Sequence, residues 1–299
     1  MATADATVGE AGAPPVVEES VATRALRIAG KLPVQLFLIA VGLLWLVPTF
    51  GLLVTSILPA SHFDQAGWWK VFSHPSLATW SNYDQIFKNH EITHALVTTL
   101  IIAVGGTVLP ILVAALAGYA FACLEFPGRD WLFVGVIALL VVPLQMALIP
   151  IFKLYAHTNL YGNVFGLILF HTAFGLPFAI FLLRNYFIGI PNDILESARI
   201  DGASELKIFV RLILPLGLPA IASLAIFQFL WTWNDLLVAL VLGGDTKPIT
   251  VAIFTQLRSF SANIDIIGPA AFISLAIPLA VFFAFQRYFV QGLLAGSVK

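Results

Sequence analysis

Pro191-Asn192-Asp193-Ile194-Leu195-Glu196-Ser197-Ala198-Arg199-Ile200-Asp201-Gly202-Ala203-Ser204, followed after seven residues by Leu212-Ile213-Leu214-Pro215, decides how this chain is read. The segment carries Asp193, Glu196, Arg199, Asp201, Glu205, Lys207 and Arg211, and strongly apolar stretches flank it on both sides. A charged helical segment is excluded from hydrocarbon, so this one lies in water or against a soluble partner. Asp193 with Glu196 three residues later has capping-box spacing, with Asp in place of Ser or Thr. Pro191 limits propagation from the preceding segment. The pattern predicts a short helix over about residues 194–200, with Ile194, Leu195 and Ala198 on one face. Asp201-Gly202 reads as a helix stop with glycine in the left-handed position. Ser204 is placed to cap a second helix with an apolar stripe of Leu206, Phe209, Val210 and Ile213. Pro215 then begins the return to the membrane, and the expected product is a helix–turn–helix along the membrane surface. On residue pattern alone, an interfacial loop with no special function and a docking loop fit equally well.

The rest of the chain is apolar. Hydrophobic residues make up 60% and charged residues 10% of the 299, with a mean hydropathy of +0.95. Soluble domains average about 45–50% apolar and about 25% charged, so the fold class is all-α, polytopic and membrane-embedded. Six stretches are long enough to span, at approximately 34–58, 95–122, 131–152, 163–183, 217–242 and 267–287. Pro48, Pro110, Pro143, Pro177 and Pro278 fall inside them as candidate kinks. With the N-terminus inside, Arg24, Arg27, Lys31, Arg129, Arg184, Arg199, Lys207, Arg211, Arg287 and Lys299 lie inside, against Lys70, Lys88, Lys153, Lys247 and Arg258 outside. The excess of inside positive charge favours both termini on the cytoplasmic side, which an even number of spans also requires.

This divides the chain into an N-terminal cytoplasmic tail, residues 1–33, and a transmembrane domain, residues 34–299. The tail has no basic region preceding an apolar run, so a cleaved signal peptide is not expected. The largest outside loop, residues 59–93, holds Trp68, Trp69, Phe72, Trp80 and Tyr83. It reads either as an interfacial aromatic belt or as a docking surface for an external partner. The formal net charge of −1 argues against a nucleic-acid surface. The single cysteine, Cys123, excludes an intramolecular disulfide framework.

No catalytic constellation stands out. A phosphate loop is missing, so this chain is not expected to hydrolyse ATP. Gly105-Gly106 lies in an apolar span and reads as helix packing. His62, His74, His90, His94, His157 and His171 form no metal-ligand pattern with acids or cysteine on one predicted helix. Polar groups within spans remain as substrate-pathway candidates: Gln145, His171, Gln228, Asn234 and Asp235. Asp235 is the most telling, because an intramembrane carboxylate costs about 2.5–3.5 kcal/mol. It reads as a structural partner between helices, as a residue near the outer interface or as a pathway residue, and a structural hydrogen bond at the outer end of the span is expected of it. Trp231 and Trp233 read as packing or belt residues, or as stacking platforms for a solute. The seven-residue spacing of Gln228 and Asp235 places them on nearly one face, with Gln228 expected nearer the pathway than Asn234.

The charged segment resembles the EAA loop of bacterial ABC importer permeases, whose pattern is Glu-Ala-Ala, three residues, Gly, nine residues, Ile-x-Leu-Pro. Glu196-Ser197-Ala198, Gly202, Leu212, Leu214 and Pro215 stand at the same spacing, with Ser197 and Leu212 as departures. Ala117 to Ala122 with Phe126-Pro127-Gly128-Arg129, Trp233-Asn234-Asp235, and Gln286 to Lys299 resemble carbohydrate permeases of the MalG-like branch. The resemblance implies a type I ABC importer permease with six transmembrane helices, multi-pass in the bacterial inner membrane. It implies that Glu196, Ser197, Ala198, Asp201, Gly202 and Ala203 couple to an ATPase. The implied partners are a second homologous permease, two ATPase subunits, an extracytoplasmic sugar-binding protein and membrane lipid. ATP and Mg would be bound by the ATPase and no cofactor by this chain. Sugar or oligosaccharide import is the expected function. Another solute such as glycerol phosphate is the alternative, and the lack of Lys and Arg inside the spans favours a neutral one. A self-contained secondary transporter fits less well, because it needs no docking loop.

Overall fold

The computed structural model describes residues 21–59, 67–258 and 264–295, and the order of elements among them is helical throughout. Residues 1–20 of the expected tail lie outside the described residues, and α1 (Val21–Ser56) begins well before position 34. α2 (Ser81–Lys88) and α3 (His90–Cys123) follow, then α4 (Arg129–Ala138), α5 (Leu144–Thr158) and α6 (Val164–Ile188). The charged segment forms α7 (Asn192–Ile200) and α8 (Glu205–Ile208), which continues through a π-helical stretch, Phe209–Ile213, into α9 (Leu214–Trp233). α10 (Leu237–Leu242), α11 (Ile249–Arg258) and α12 (Ile264–Ala295) complete the order. The terminal motif from Gln286 falls mostly on residues whose side chains lie outside the described set.

Among the described residues, five helices are long and apolar enough to cross a membrane: Lys31–Ser56, His90–Cys123, Val164–Ile188, Glu205–Trp233 and Asp265–Arg287. A sixth crossing exists if Arg129–Val141 and Leu144–Thr158, bent by 99°, count together. The expected continuous third span, 131–152, is therefore corrected to a broken one. At the break Val142 is extended (ψ 114°) before Pro143, as a residue preceding proline prefers, and Leu139–Val141 tightens into a 3₁₀ turn. The fifth span is corrected from 217–242 to a helix that starts at Glu205 and stops at Trp233.

Within residues 51–299 the core is built on α3, α6 and α9. One cluster joins Ala114, Tyr119, Leu183, Phe187, Leu195, Ile208 and Ile213, and so packs the charged segment onto these three helices. A second joins Ile102, Tyr155, Leu167, Phe170, Val238 and Leu242 at the opposite end of α3 and α6. The ends of these helices are tied down as well. The Asn82 amide of α2 donates to the carbonyls of Ser56 (3.1 Å) and Leu58 (2.8 Å), which would otherwise be orphaned at the end of α1. Asn89 and Asn163 cap α3 and α6 by accepting from first-turn N–H groups. In the loop expected outside, residues 60–66 are not among the described residues, while Trp69 and Trp80 are exposed.

Candidate functional site

The charged segment is a short surface helix anchored by one leucine. Leu195 is 2% exposed within the core cluster, whereas Glu196, Ser197, Asp201 and Gly202 are exposed. Ala198 and Ala203 are half-buried against that cluster. The turn is a Schellman motif: Ala203 N–H donates to Ala198 O and Gly202 N–H to Arg199 O, both at 3.0 Å. Gly202 has φ 75°, the conformation a side chain strains and glycine accepts freely. The Ala198–Ala203 pair supplies the apolar contact that accompanies this motif.

Three local expectations are corrected. α7 starts at Asn192 with Pro191 in the capping position, so the Asp193–Glu196 capping box does not form, and Asp193 sits in the first turn instead. Ser204 precedes α8 but its side chain makes no capping bond. The second helix is not a separate surface helix: α8 runs through the π stretch into the span, past Pro215. Because of this geometry Ile208, Phe209 and Ile213 face inward, while Leu206 and Val210 are 67% and 51% exposed. Ile194 is likewise 40% exposed. Ile200, which the expected apolar face omitted, is 86% exposed beside the turn.

A fork of polar side chains holds the segment in place. Arg199 Nε donates to Glu205 Oε1 (2.8 Å) and its Nη2 reaches Glu205 Oε2 (3.4 Å). The same Nη2 donates to the Cys123 carbonyl at the end of α3 (3.1 Å). The Tyr119 hydroxyl, one turn earlier on α3, donates to the Glu205 carboxylate. The hydrogen bond to Glu205 pushes the Arg199 pKa above its already high ordinary value, so its charge is fixed.

Inside the spans, His171 and Gln228 gather at Gly106, and Asp235, beyond the end of α9, approaches His171. Proline cannot donate to the carbonyl four residues earlier, so Pro110 leaves Gly106 O without its ladder donor. Gln228 Nε2 fills that place at 3.1 Å and also donates to His171 O at 3.2 Å. Pro278 likewise frees Ser274 O, and Trp233 Nε1 donates to it at 2.9 Å. Two polar side chains of α9 therefore repair proline breaks on α3 and α12. Gly106 permits the approach: a Cβ there would lie 3.1 Å from Thr232 Cγ2 and 3.2 Å from His171 Cβ. This is the helix packing expected of Gly105-Gly106.

Asp235 lies between α9 and α10 and accepts from Val238 N–H (3.2 Å) and Ala239 N–H (3.0 Å) in the first turn of α10. Its Oδ2 lies 3.7 Å from His171 Nε2. The carboxylate thus compensates its burial with first-turn donors. His171 Nδ1 and Thr232 Oγ1 have no hydrogen-bond partner among the described residues. Asn234 and Gln145 do not join this group. Asn234 is exposed and bonds back to Leu230 O at 2.7 Å, and Gln145 is exposed near the start of α5.

Next to the group, the break between α4 and α5 opens a cavity of about 410 Å³. Val142, Phe174, Phe178, Phe227, Gln228 and Trp231 are among its walls, and no charged residue lines it. Aromatic faces with one amide suit a neutral solute that offers both hydroxyls and apolar ring faces. Gln228 is the one pathway candidate of the five on this wall. The proline–donor pairs and the Tyr119–Glu205–Arg199 fork were not foreseen. A proline four residues after a candidate acceptor was the available signal, but nothing local names the donor.

The profile described as "Binding-protein-dependent transport system inner membrane component" matches residues 111–294. The chain is 48% identical over 275 residues to the osmoprotective compounds uptake permease protein GgtD of Synechocystis, covering 90% of this chain and 92% of that one. It is 52% identical over 233 residues to the alpha-glucoside transport system permease protein AglG of Rhizobium meliloti, covering 75% of this chain and 61% of that one. It is 36% identical over 230 residues to the trehalose transport system permease protein SugB of Mycobacterium tuberculosis, covering 75% and 84%. Among solved structures, a chain of a bacterial ABC transporter involved in import of the acidic polysaccharide alginate superposes with a TM-score of 0.74 at 22% identity, covering 91% of this chain and 99% of that one. That likeness shows the ABC importer permease fold. The chain belongs to the binding-protein-dependent transport system inner membrane component family.

Proposed function

We propose that this chain is a permease subunit of an ATP-driven, binding-protein-dependent importer of sugars or oligosaccharides. In this reading it forms half of the translocation pathway and a second homologous permease forms the other half. Two cytoplasmic ATPase subunits bind ATP and Mg, and an extracytoplasmic sugar-binding protein delivers the solute. Glu196, Ser197, Asp201 and Gly202, with Ile200 beside them, present the docking surface. Ala198 and Ala203 shape it from behind. Both termini are cytoplasmic.

The observation that carries the reading is the Schellman-terminated helix α7, held on the core by Leu195 and joined by the Gly202 turn to α8, which runs on into a membrane span. Such a helix presents exposed charge and an exposed isoleucine to water while its movement is transmitted directly into the bilayer. The sugar class is supported by the relatives named for alpha-glucosides and trehalose, and by a cavity wall of aromatics with one amide. The relative named for osmoprotective compounds makes an osmoprotective compound the second candidate solute.

The test is Gly202→Asp. It strains the left-handed turn, adds charge and bulk, and leaves the spans untouched. The variant is expected to insert normally and to lose its ATPase on purification. Normal ATPase recovery with unchanged uptake would remove Gly202 from the docking surface.

A further inference from the structure

We infer that Tyr119, Arg199 and Glu205 form a positioning fork that makes the docking helix α7 and the core helix α3 move as one body. The inference rests on α7 being the ATPase-docking element. Three separate stretches of chain meet here: the last turns of α3, the end of α7 and the start of α8. Arg199 and Glu205 are six residues apart and face each other only because the Gly202 turn reverses the chain between them. Arg199 also reaches the Cys123 carbonyl, one of the terminal acceptors that α3 leaves without a ladder donor. Tyr119 is 4% exposed and closes the fork from the core side by donating to Glu205.

The burial pattern argues against a role in stability alone. The Arg199 and Glu205 side chains are 38% and 45% exposed, and ion pairs that open to water contribute little to folding. What two bonds from one guanidinium do supply is direction: they fix the angle between α7 and α3. α3 continues from Tyr119 to Gly106, about 20 Å away at 1.5 Å per residue, where Gln228 and His171 join it to α9 and α6. A displacement of α7 held by this fork is therefore delivered to the helix that Gln228, a residue of the cavity wall, holds at Gly106. Without the fork, α7 stays attached through Leu195 and the Gly202 turn but can pivot.

The experiment uses the complete importer complex in proteoliposomes, in a Cys123→Ser background, with spin labels at Leu116→Cys on α3 and Asp193→Cys on α7. The fork predicts one narrow label separation that trapping with ADP and vanadate leaves unchanged. Tyr119→Phe and Arg199→Ala are expected to broaden it. They are also expected to lower solute imported per ATP hydrolysed by about threefold or more, with ¹⁴C-maltose and ¹⁴C-trehalose as probes. ATPase recovery stays normal in both variants. Glu205→Gln keeps acceptor and shape and is expected to fall between them and the parent. Unchanged separation in both Tyr119→Phe and Arg199→Ala overturns the inference. So does a parent separation that shifts on trapping, or loss of the ATPase from Tyr119→Phe. If Gly202→Asp retains its ATPase and imports normally, the docking reading fails on its own control, and the fork's role in coupling falls with it.

Discussion

Gln228→Ala offers a quantitative test of how α9 holds α3. The His171 carbonyl belongs to the regular ladder of α6 and loses only an additional donor. The Gly106 carbonyl loses more, because Pro110 has no N–H to give it. Leaving a buried acceptor without a donor costs about 1–3 kcal/mol. If that account is right, Pro110→Ala supplies the missing N–H, and the same Gln228→Ala change becomes cheaper by about 1–2 kcal/mol in that background. Reversible unfolding of the purified protein in mixed micelles, for the parent, both single variants and the double variant, yields the coupling energy directly. Additivity within about 0.5 kcal/mol would refute the proline-repair account and return Gln228 to a purely solute-facing role.

Three further outcomes follow from the same geometry. Trp233→Phe removes the donor to Ser274 O and is expected to destabilise by about 1–2 kcal/mol, a loss that Pro278→Ala relieves; mixed-micelle unfolding reads both. Leu195→Ala takes out the anchor of α7 and is expected to lose about 2–5 kcal/mol of local packing, seen as faster amide exchange over 192–200 with little change in α3 and α6. In a Cys123→Ser background, single cysteines at positions 70 and 247 are expected to label from outside and one at 207 only after permeabilisation; outside labelling at 207 would reverse the topology.

Local chemistry was legible in the sequence where the cause is local. Gly202 could be read as a left-handed stop because Asp-Gly after an apolar-faced turn leaves few alternatives, and φ 75° agrees. Residue spacing also located most of the spans. The prolines were not legible, because their outcome depends on distant donors. Pro110 and Pro278 stay within continuous helices, and α9 places Gln228 and Trp233 on the carbonyls they free. Pro143 frees Leu139 O instead, Val142 N–H takes it at 3.2 Å in a 3₁₀ turn, and the chain bends by 99°. All three look alike as prolines in apolar runs. The Asp193 capping box failed for a related reason: Pro191 can occupy the capping position itself, and the helix then begins earlier. Asp235 was singled out as a costly intramembrane carboxylate, and the helix of the span ends before it, at Trp233. Its first-turn donors on α10 and its approach to His171 required the fold, since His171 lies on a different helix.

The central claim is that this chain moves sugars only as part of an ATP-driven complex. Proteoliposomes are prepared with the chain, its companion permease and ATPase, and the solute-binding protein is supplied on the face opposite the ATP. Uptake of ¹⁴C-labelled alpha-glucosides and trehalose is then measured. Saturable uptake that requires both ATP and the binding protein, and that Gly202→Asp abolishes, is the predicted result. Uptake by the chain alone, driven by an ion gradient and indifferent to ATP, would contradict the account.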